Sequence, residues 1–258
     1  MKRLRDLLGG TSRAIEIVEE NGVRVLQIGG SAIQSAMRLD APDAIELDYV
    51  RAMMAFLLFC PKPREVLMVG LGGGSMARFI HQRMPGTRVT VAEIDPGVVT
   101  AARKYFRLPE EDERLEIVVG DGADIVPSRP ASCDVLLVDG FVNGKAADAL
   151  CTQSFYDAAF AALRGAGVMA VNFMSDDRRI ERHLERIAAS FGRRATLLLS
   201  EEKDNLIAFA LSGGPPRIAW SALRARARAA KTLFGLPLEE CLAPLKKRNR
   251  HTPRFLTL

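Results

Sequence analysis

The chain has 258 residues, 48% hydrophobic and 26% charged, with 36 Lys+Arg against 31 Asp+Glu for a formal net charge of +5. That length and apolar content allow a full core, which excludes wholesale disorder and a disulfide-stapled miniprotein. Four widely spaced cysteines without a CxxC pair argue against a zinc knuckle and for a reducing, cytoplasmic setting, and the longest apolar run, 52–60, is far short of the roughly 20 residues of a membrane span.

From the N-terminus, charged Arg5 and Asp6 stand where a secretory signal would carry an apolar core, so no leader is expected. Alternating apolar residues predict strands at 14–20 and 23–28 around an Asn21-Gly22 turn, and a third at 32–39. This small antiparallel β extension occupies 1–44. A helical pattern begins at Ile45, with Leu47, Val50, Met54 and Leu57 or Leu58 on one side, and ends at Pro61 and Pro63. Continuous apolar strands at 66–69, 88–92, 115–119, 135–138 and 168–173 then alternate with helices at 75–84, 96–106, 154–164 and 178–191, and a hairpin at 196–199 and 206–211 closes the series. Such alternation predicts an α/β fold with a doubly wound, mostly parallel Rossmann-like sheet over 45–213. From Gly214 onward ten basic residues against two acids give +8, which leaves −3 for the other 213 residues of the overall +5. Within this basic helical tail, 214–258, Arg224, Arg226 and Arg228 alternate with alanines and spread over a wide arc, so a solvated helix is expected and nucleic-acid binding is not.

The chemistry concentrates at strand ends. The first core strand runs into Gly70-Leu71-Gly72-Gly73-Gly74 and then a helix, a turn that lets backbone approach a ligand and aims helix N–H groups at it. Read as Gly72 to Ala77 the loop also satisfies the dinucleotide GxGxxA pattern, so on its own it does not separate NAD from other nucleosides. The second strand ends in Glu93-Ile94-Asp95-Pro96: Glu93 suits a ribose diol, and Asp95 with Pro96 suits a helix cap. Asp121 and Gly122, after the third strand, offer a carboxylate to an adenine amino group or another helix cap. Asp139 ends the fourth strand, either as a base or as a carboxylate holding a loop. Three acids converging on one crevice favour an adenosyl sulfonium over a dinucleotide.

VLMVGLGGGSMARF, VTVAEIDPGVVTAARKYF, LEIVVGDGADIV and DVLLVDGF, in this order and spacing, resemble the spermidine synthase (polyamine aminopropyltransferase) family, which has the class I S-adenosylmethionine-dependent methyltransferase fold. The resemblance implies an aminopropyl transfer from decarboxylated S-adenosylmethionine to a small-molecule amine acceptor, without a metal. It implies cofactor contacts from Gln34, Gly70, Gly72, Gly74, Glu93, Asp121 and Gly122, positioning of the amine by Tyr49, and proton acceptance by Asp139. Three departures stand out. The family's ammonium-holding aspartate falls on Gly73, its His-Glu or Gln-Glu pair after the tyrosine on Val50-Arg51, and its second diamine-holding acid on Val142. The adenosine half is kept and the polyamine half eroded, so methyl transfer from S-adenosylmethionine and non-catalytic adenosyl binding stand as alternatives. The resemblance leaves a homodimer open. His81, His183 and His251 lack a second ligand nearby in sequence and are expected on the solvated surface.

Overall fold

The computed structural model describes residues 2–5, 14–29, 33–142, 145–202 and 204–258. In chain order these form β1 (Lys2–Arg5), β2 (Ile15–Glu20), β3 (Val23–Ile28), β4 (Ile33–Arg38) and α1 (Asp48–Met53), which runs into a 3-10 turn at Met54–Leu58. There follow β5 (Glu65–Val69), α2 (Ser75–Arg83), β6 (Arg88–Glu93), α3 (Pro96–Tyr105), β7 (Leu115–Val119), α4 (Gly122–Ile125) and β8 (Cys133–Val138). Next come β9 (Phe141–Val142), β10 (Lys145–Ala146), α5 (Gln153–Ala162), β11 (Leu163–Met174), α6 (Ile180–Ser190), β12 (Ala195–Leu199) and β13 (Asn205–Leu211). The C-terminal segment supplies β14 (Arg217–Ala219), α7 (Trp220–Phe234), α8 (Leu242–Arg248) and β15 (Phe255–Thr257).

β1 to β4 pair in sequence order as an antiparallel sheet. Asn21 and Gly22 both have positive φ, 51° and 76°, the geometry that a two-residue hairpin needs and that Asn-Gly supplies at little cost. The central sheet runs β12-β13-β11-β8-β5-β6-β7, parallel from β11 to β7 and antiparallel at β13 and β12. The chain winds outward from β5 to β7 and returns on the other side at β8, so the order reverses between β5 and β8. Open α/β sheets bind ligands at that reversal, beyond the carboxyl ends of the strands. Register pairs Val69 with Val138, which sets Gly70 and Asp139 abreast just past the edge.

The sheet separates two apolar layers. One, with Met53, Phe56, Met68, Val89 and Phe209, also takes in α7, and the other, with Val138, Tyr156, Val171 and Ile187, lies under α5 and α6. The basic tail packs on the first layer. Trp220, Leu223, Ala227 and Ala230 form its buried stripe, and Arg226 Nη1 donates to the Leu58 carbonyl at 2.7 Å while Arg224 and Arg228 face solvent. The expected solvated helix is thus solvated on one face alone. At the sheet edge the Asn249 side chain accepts from the Leu197 N–H and donates to the Leu197 carbonyl, both at 2.7 Å.

His183 departs from expectation. It is 2% exposed, its ring stacks on Phe173 at 5.4 Å with 4° between planes, and neither ring nitrogen has a protein partner. It stands at i+3 from Ile180 and i−4 from Ile187, so it belongs to the face that α6 turns to the sheet, and burial disfavours its charged form. His81 is also mostly covered and pairs with Asp112, Nε2 to Oδ2 at 3.0 Å, whereas His251 is exposed as expected.

Candidate active site

The glycine loop is shaped by what it touches. Gly70 has φ +96°, and a Cβ there would fall 2.3 Å from the Asp139 carbonyl oxygen, so the loops after β5 and β8 run abreast only with glycine. At Gly73 a Cβ would meet Ser35 Oγ at 2.7 Å and Phe106 at 2.9 Å. The Ser35 hydroxyl lies 3.2 Å from that of Ser75, and both serines are buried. β4 therefore lies against the loop and fills the space a side chain at 73 would need. Gly72 sits beside the Gln34 carbonyl, and Gly74 has φ +73° at the start of α2.

Glu93 is 7% exposed and fully engaged by backbone. Its Oε2 accepts from the Leu71 N–H at 2.8 Å and its Oε1 from the Asp95 N–H at 2.9 Å. Burial raises its pKa, and these hydrogen bonds oppose the rise. The carboxylate thus ties the glycine loop to the end of β6, and each oxygen keeps a lone pair for a further donor. Asp95 caps α3, accepting from Gly97 N–H at 2.8 Å with Pro96 behind it, as expected. Asp121 likewise caps α4 through Ala123 N–H at 2.8 Å, so its capping role is realised. Ile94 and Val119, beside Glu93 and Gly120, are apolar yet 66% and 54% exposed, which leaves apolar surface at the ends of β6 and β7. The sequence pattern gave no role to either, although Ile94 stands just past a strand-end acid and Val119 two residues before one.

Asp139 sits at the crevice beside Gly70. Its Oδ1 accepts from Asn172 Nδ2 at 2.8 Å, and its carboxylate also takes the Tyr49 hydroxyl as a partner. That hydroxyl lies 3.1 Å from the Gln34 carbonyl as well, so its one proton has two acceptors. Burial pushes the Asp139 carboxyl up to about 6, with Asn172 and Tyr49 holding it down. Tyr49 is raised well above the usual phenol value by burial first and by the Asp139 charge second. Asn172, and Asn205 behind it with Nδ2 3.0 Å from Asn172 Oδ1, were missed from sequence, though each is a polar residue inside a buried strand.

The structure thus brings Gln34, Tyr49, Asp139 and the glycine loop together, with Glu93 and Asp121 at the neighbouring strand ends. Val50 is buried in the core, and Arg51 donates to the Ile45 and Glu46 carbonyls and faces Glu201 at 3.8 Å, in a separate cavity of about 160 Å³ against the tail. Val142 pairs with Lys145 through backbone, and its side chain lies outside the described residues. Among the described residues no three His, Cys, Asp or Glu side chains are grouped to hold a metal ion, and no helix is long and apolar enough to cross a membrane.

A reversal-point crevice with a glycine loop and three strand-end acids, on this strand order, defines a Rossmann-like protein of the class I methyltransferase fold. A family model described as the spermine/spermidine synthase domain matches residues 46–187. The polyamine aminopropyltransferase of Chromobacterium violaceum is 40% identical over 244 residues, 95% of this chain and 94% of that one. Among solved structures, a probable spermidine synthase from Corynebacterium glutamicum aligns with TM-score 0.71 at 20% identity, over 95% of this chain and 96% of that one. Human methyltransferase-like protein 13 in complex with SAH aligns with TM-score 0.64 at 26% identity, over 80% and 96%. The chain belongs to the spermine/spermidine synthase family.

Proposed function

We propose that this protein transfers an aminopropyl group from decarboxylated S-adenosylmethionine to a small amine. The donor's adenosine would lie across the ends of β5, β6 and β7, and Asp139 would accept the proton. The observation that carries this reading is Asp139 itself, a half-buried carboxylate beside the glycine loop with Tyr49 and Asn172 on it. The names of the relatives support the reaction. The residues present suit an adenosyl group. Glu93 keeps acceptor capacity toward a diol, and Ile94 and Val119 offer apolar surface to a flat ring.

The donor's sulfonium is already an electrophile, so the chain's task is alignment and handling of the amine's proton. An alkyl amine with a pKa near 10 cannot attack until it is neutral. The amine nitrogen bonds to the carbon on sulfur, the carbon–sulfur pair leaves with a neutral thioether, and the amine's proton passes to Asp139. Against a carboxyl near 6 the gap is about four units, and desolvation of the amine in the crevice narrows it, because burial lowers an ammonium's pKa. Tyr49, fixed between the Gln34 carbonyl and Asp139, orients the carboxylate toward the amine.

A second reading, methyl transfer from S-adenosylmethionine, is favoured by Gly73. Ser35 occupies the space of a side chain there, so an acid cannot hold a donor ammonium from that position. Mass spectrometry after incubation with each donor and a panel of amines separates the two. Methylthioadenosine as product supports aminopropyl transfer, S-adenosylhomocysteine supports methyl transfer, and Asp139→Asn is expected to lower turnover at least 100-fold in either case.

A further inference from the structure

We infer that Asn172 is a positioning residue for this reaction, held in one amide orientation by Asn205 so that its NH2 faces Asp139 and keeps that carboxylate charged and aimed. The inference rests on the reading of Asp139 as proton acceptor and assigns its support to two residues with no direct part in the chemistry. Asn172 lies in β11 with Phe173 beside it and the buried run Val168–Val171 before it, and is 3% exposed. Asn205 opens β13, in which every residue is buried. A buried amide without partners costs several kcal/mol, so two adjacent ones in an apolar sheet must satisfy each other or something else.

Here they form a directed row across three strands, Asn205 Nδ2 to Asn172 Oδ1 at 3.0 Å and Asn172 Nδ2 to Asp139 Oδ1 at 2.8 Å. The direction follows from chemistry. An ionised carboxylate only accepts, so Asn172 must present its NH2, and its oxygen must then find a donor on the far side. Asn205 is that donor. Its backbone is pinned by Ser200, whose N–H donates to the Asn205 carbonyl at 2.9 Å and whose hydroxyl accepts from the Asn205 N–H.

Among the described residues, few groups bear on Asp139. From α1 comes Tyr49, with Asp48 next to it; from β11 and β13 come the two amides, which do not titrate; Glu93 stands two strands away past β5. Hydrogen bonds to the charged form lower a carboxyl's pKa, so Asn172 opposes the rise that burial imposes. A structural pair alone would change stability and leave the titration of Asp139 where it is.

The test compares Asn172→Ser and Asn205→Ser, both smaller and still polar, with the parent protein. The pH profile of kcat/KM is followed by methylthioadenosine release, and the Asp139 carboxyl band is followed by infrared spectroscopy against pH, identified by its loss in Asp139→Asn. In Asn172→Ser the acid limb and the band titration both move up by about one pH unit, and in Asn205→Ser by a smaller step in the same direction. A band that titrates at the parent pH in both variants overturns the inference. If Asp139→Asn keeps turnover, the base assignment falls, and the infrared titration still decides whether Asn172 governs Asp139.

Discussion

Asp139 is a carboxyl whose environment resists its charge, and that has a consequence for stability as well as for chemistry. Its folded pKa stands near 6, above the ordinary 3.8, so its favourable contribution is complete below the unfolded value and is lost as pH rises through about 6. Asparagine at this position has no charge to bury. Asp139→Asn is therefore expected to be more stable than the parent at pH 7.5, by of order 1–2 kcal/mol, with the difference shrinking toward pH 4. Thermal melts at the two pH values check this; equal shifts at both would remove burial as the cause. Gly73 carries a second residue-scale prediction. Gly73→Asp drives its Cβ into Ser35 and Phe106 and costs about 1–3 kcal/mol. Adding Ser35→Gly removes one of the two clashes and recovers part of the loss, a non-additivity that a double-mutant cycle in urea measures.

At the scale of elements, the sequence was most legible where burial is continuous. β5, β6 and β8 are buried from their third residue onward because helices cover both faces, β7 at the sheet edge is only partly covered, and the predicted positions of all four agree with the structure within two residues. Helix starts were legible where a cap stands, as at Asp95-Pro96. Short elements were not: β9, β10, β14 and β15 have two or three residues each, too few for any period, and exist because the chain around them is packed. The candidate site was readable in its acids, which end strands, and not in Asn172 or Asn205, whose partners come from other strands and are invisible to local pattern. His183 misled because a histidine among charges reads as surface, whereas its spacing with Ile180 and Ile187 placed it inward. The tail's arginines misled in the same way, since the stripe between them is what packs. Leu223, fully buried on that stripe, makes the point testable: Leu223→Ala is expected to destabilise the protein by about 2–5 kcal/mol in denaturant titration, against a few tenths for Arg224→Ala.

Over the whole molecule, one apolar cluster runs from Ile15 in the N-terminal sheet to Leu256 in the last strand, so extension, α/β sheet and tail share a layer. Such continuity predicts one cooperative transition. The chain has a single tryptophan, Trp220, and it lies in α7, so its fluorescence reports the tail while far-UV circular dichroism reports mainly the central sheet and its helices. The two melting curves are expected to superimpose; an earlier fluorescence transition would show a tail that unlatches by itself.

The amide of Asn249 completes the picture at the rim. By bonding both the N–H and the carbonyl of Leu197, it stands where a peptide unit of another strand would stand. A rim strand with free backbone groups is a template for recruitment of another chain, and here one side chain from the basic segment occupies that template. The C-terminal segment thus supplies the side chain that satisfies Leu197 at the open rim of β12. Removal of that side chain in Asn249→Ala should register as concentration-dependent light scattering before any change in catalysis.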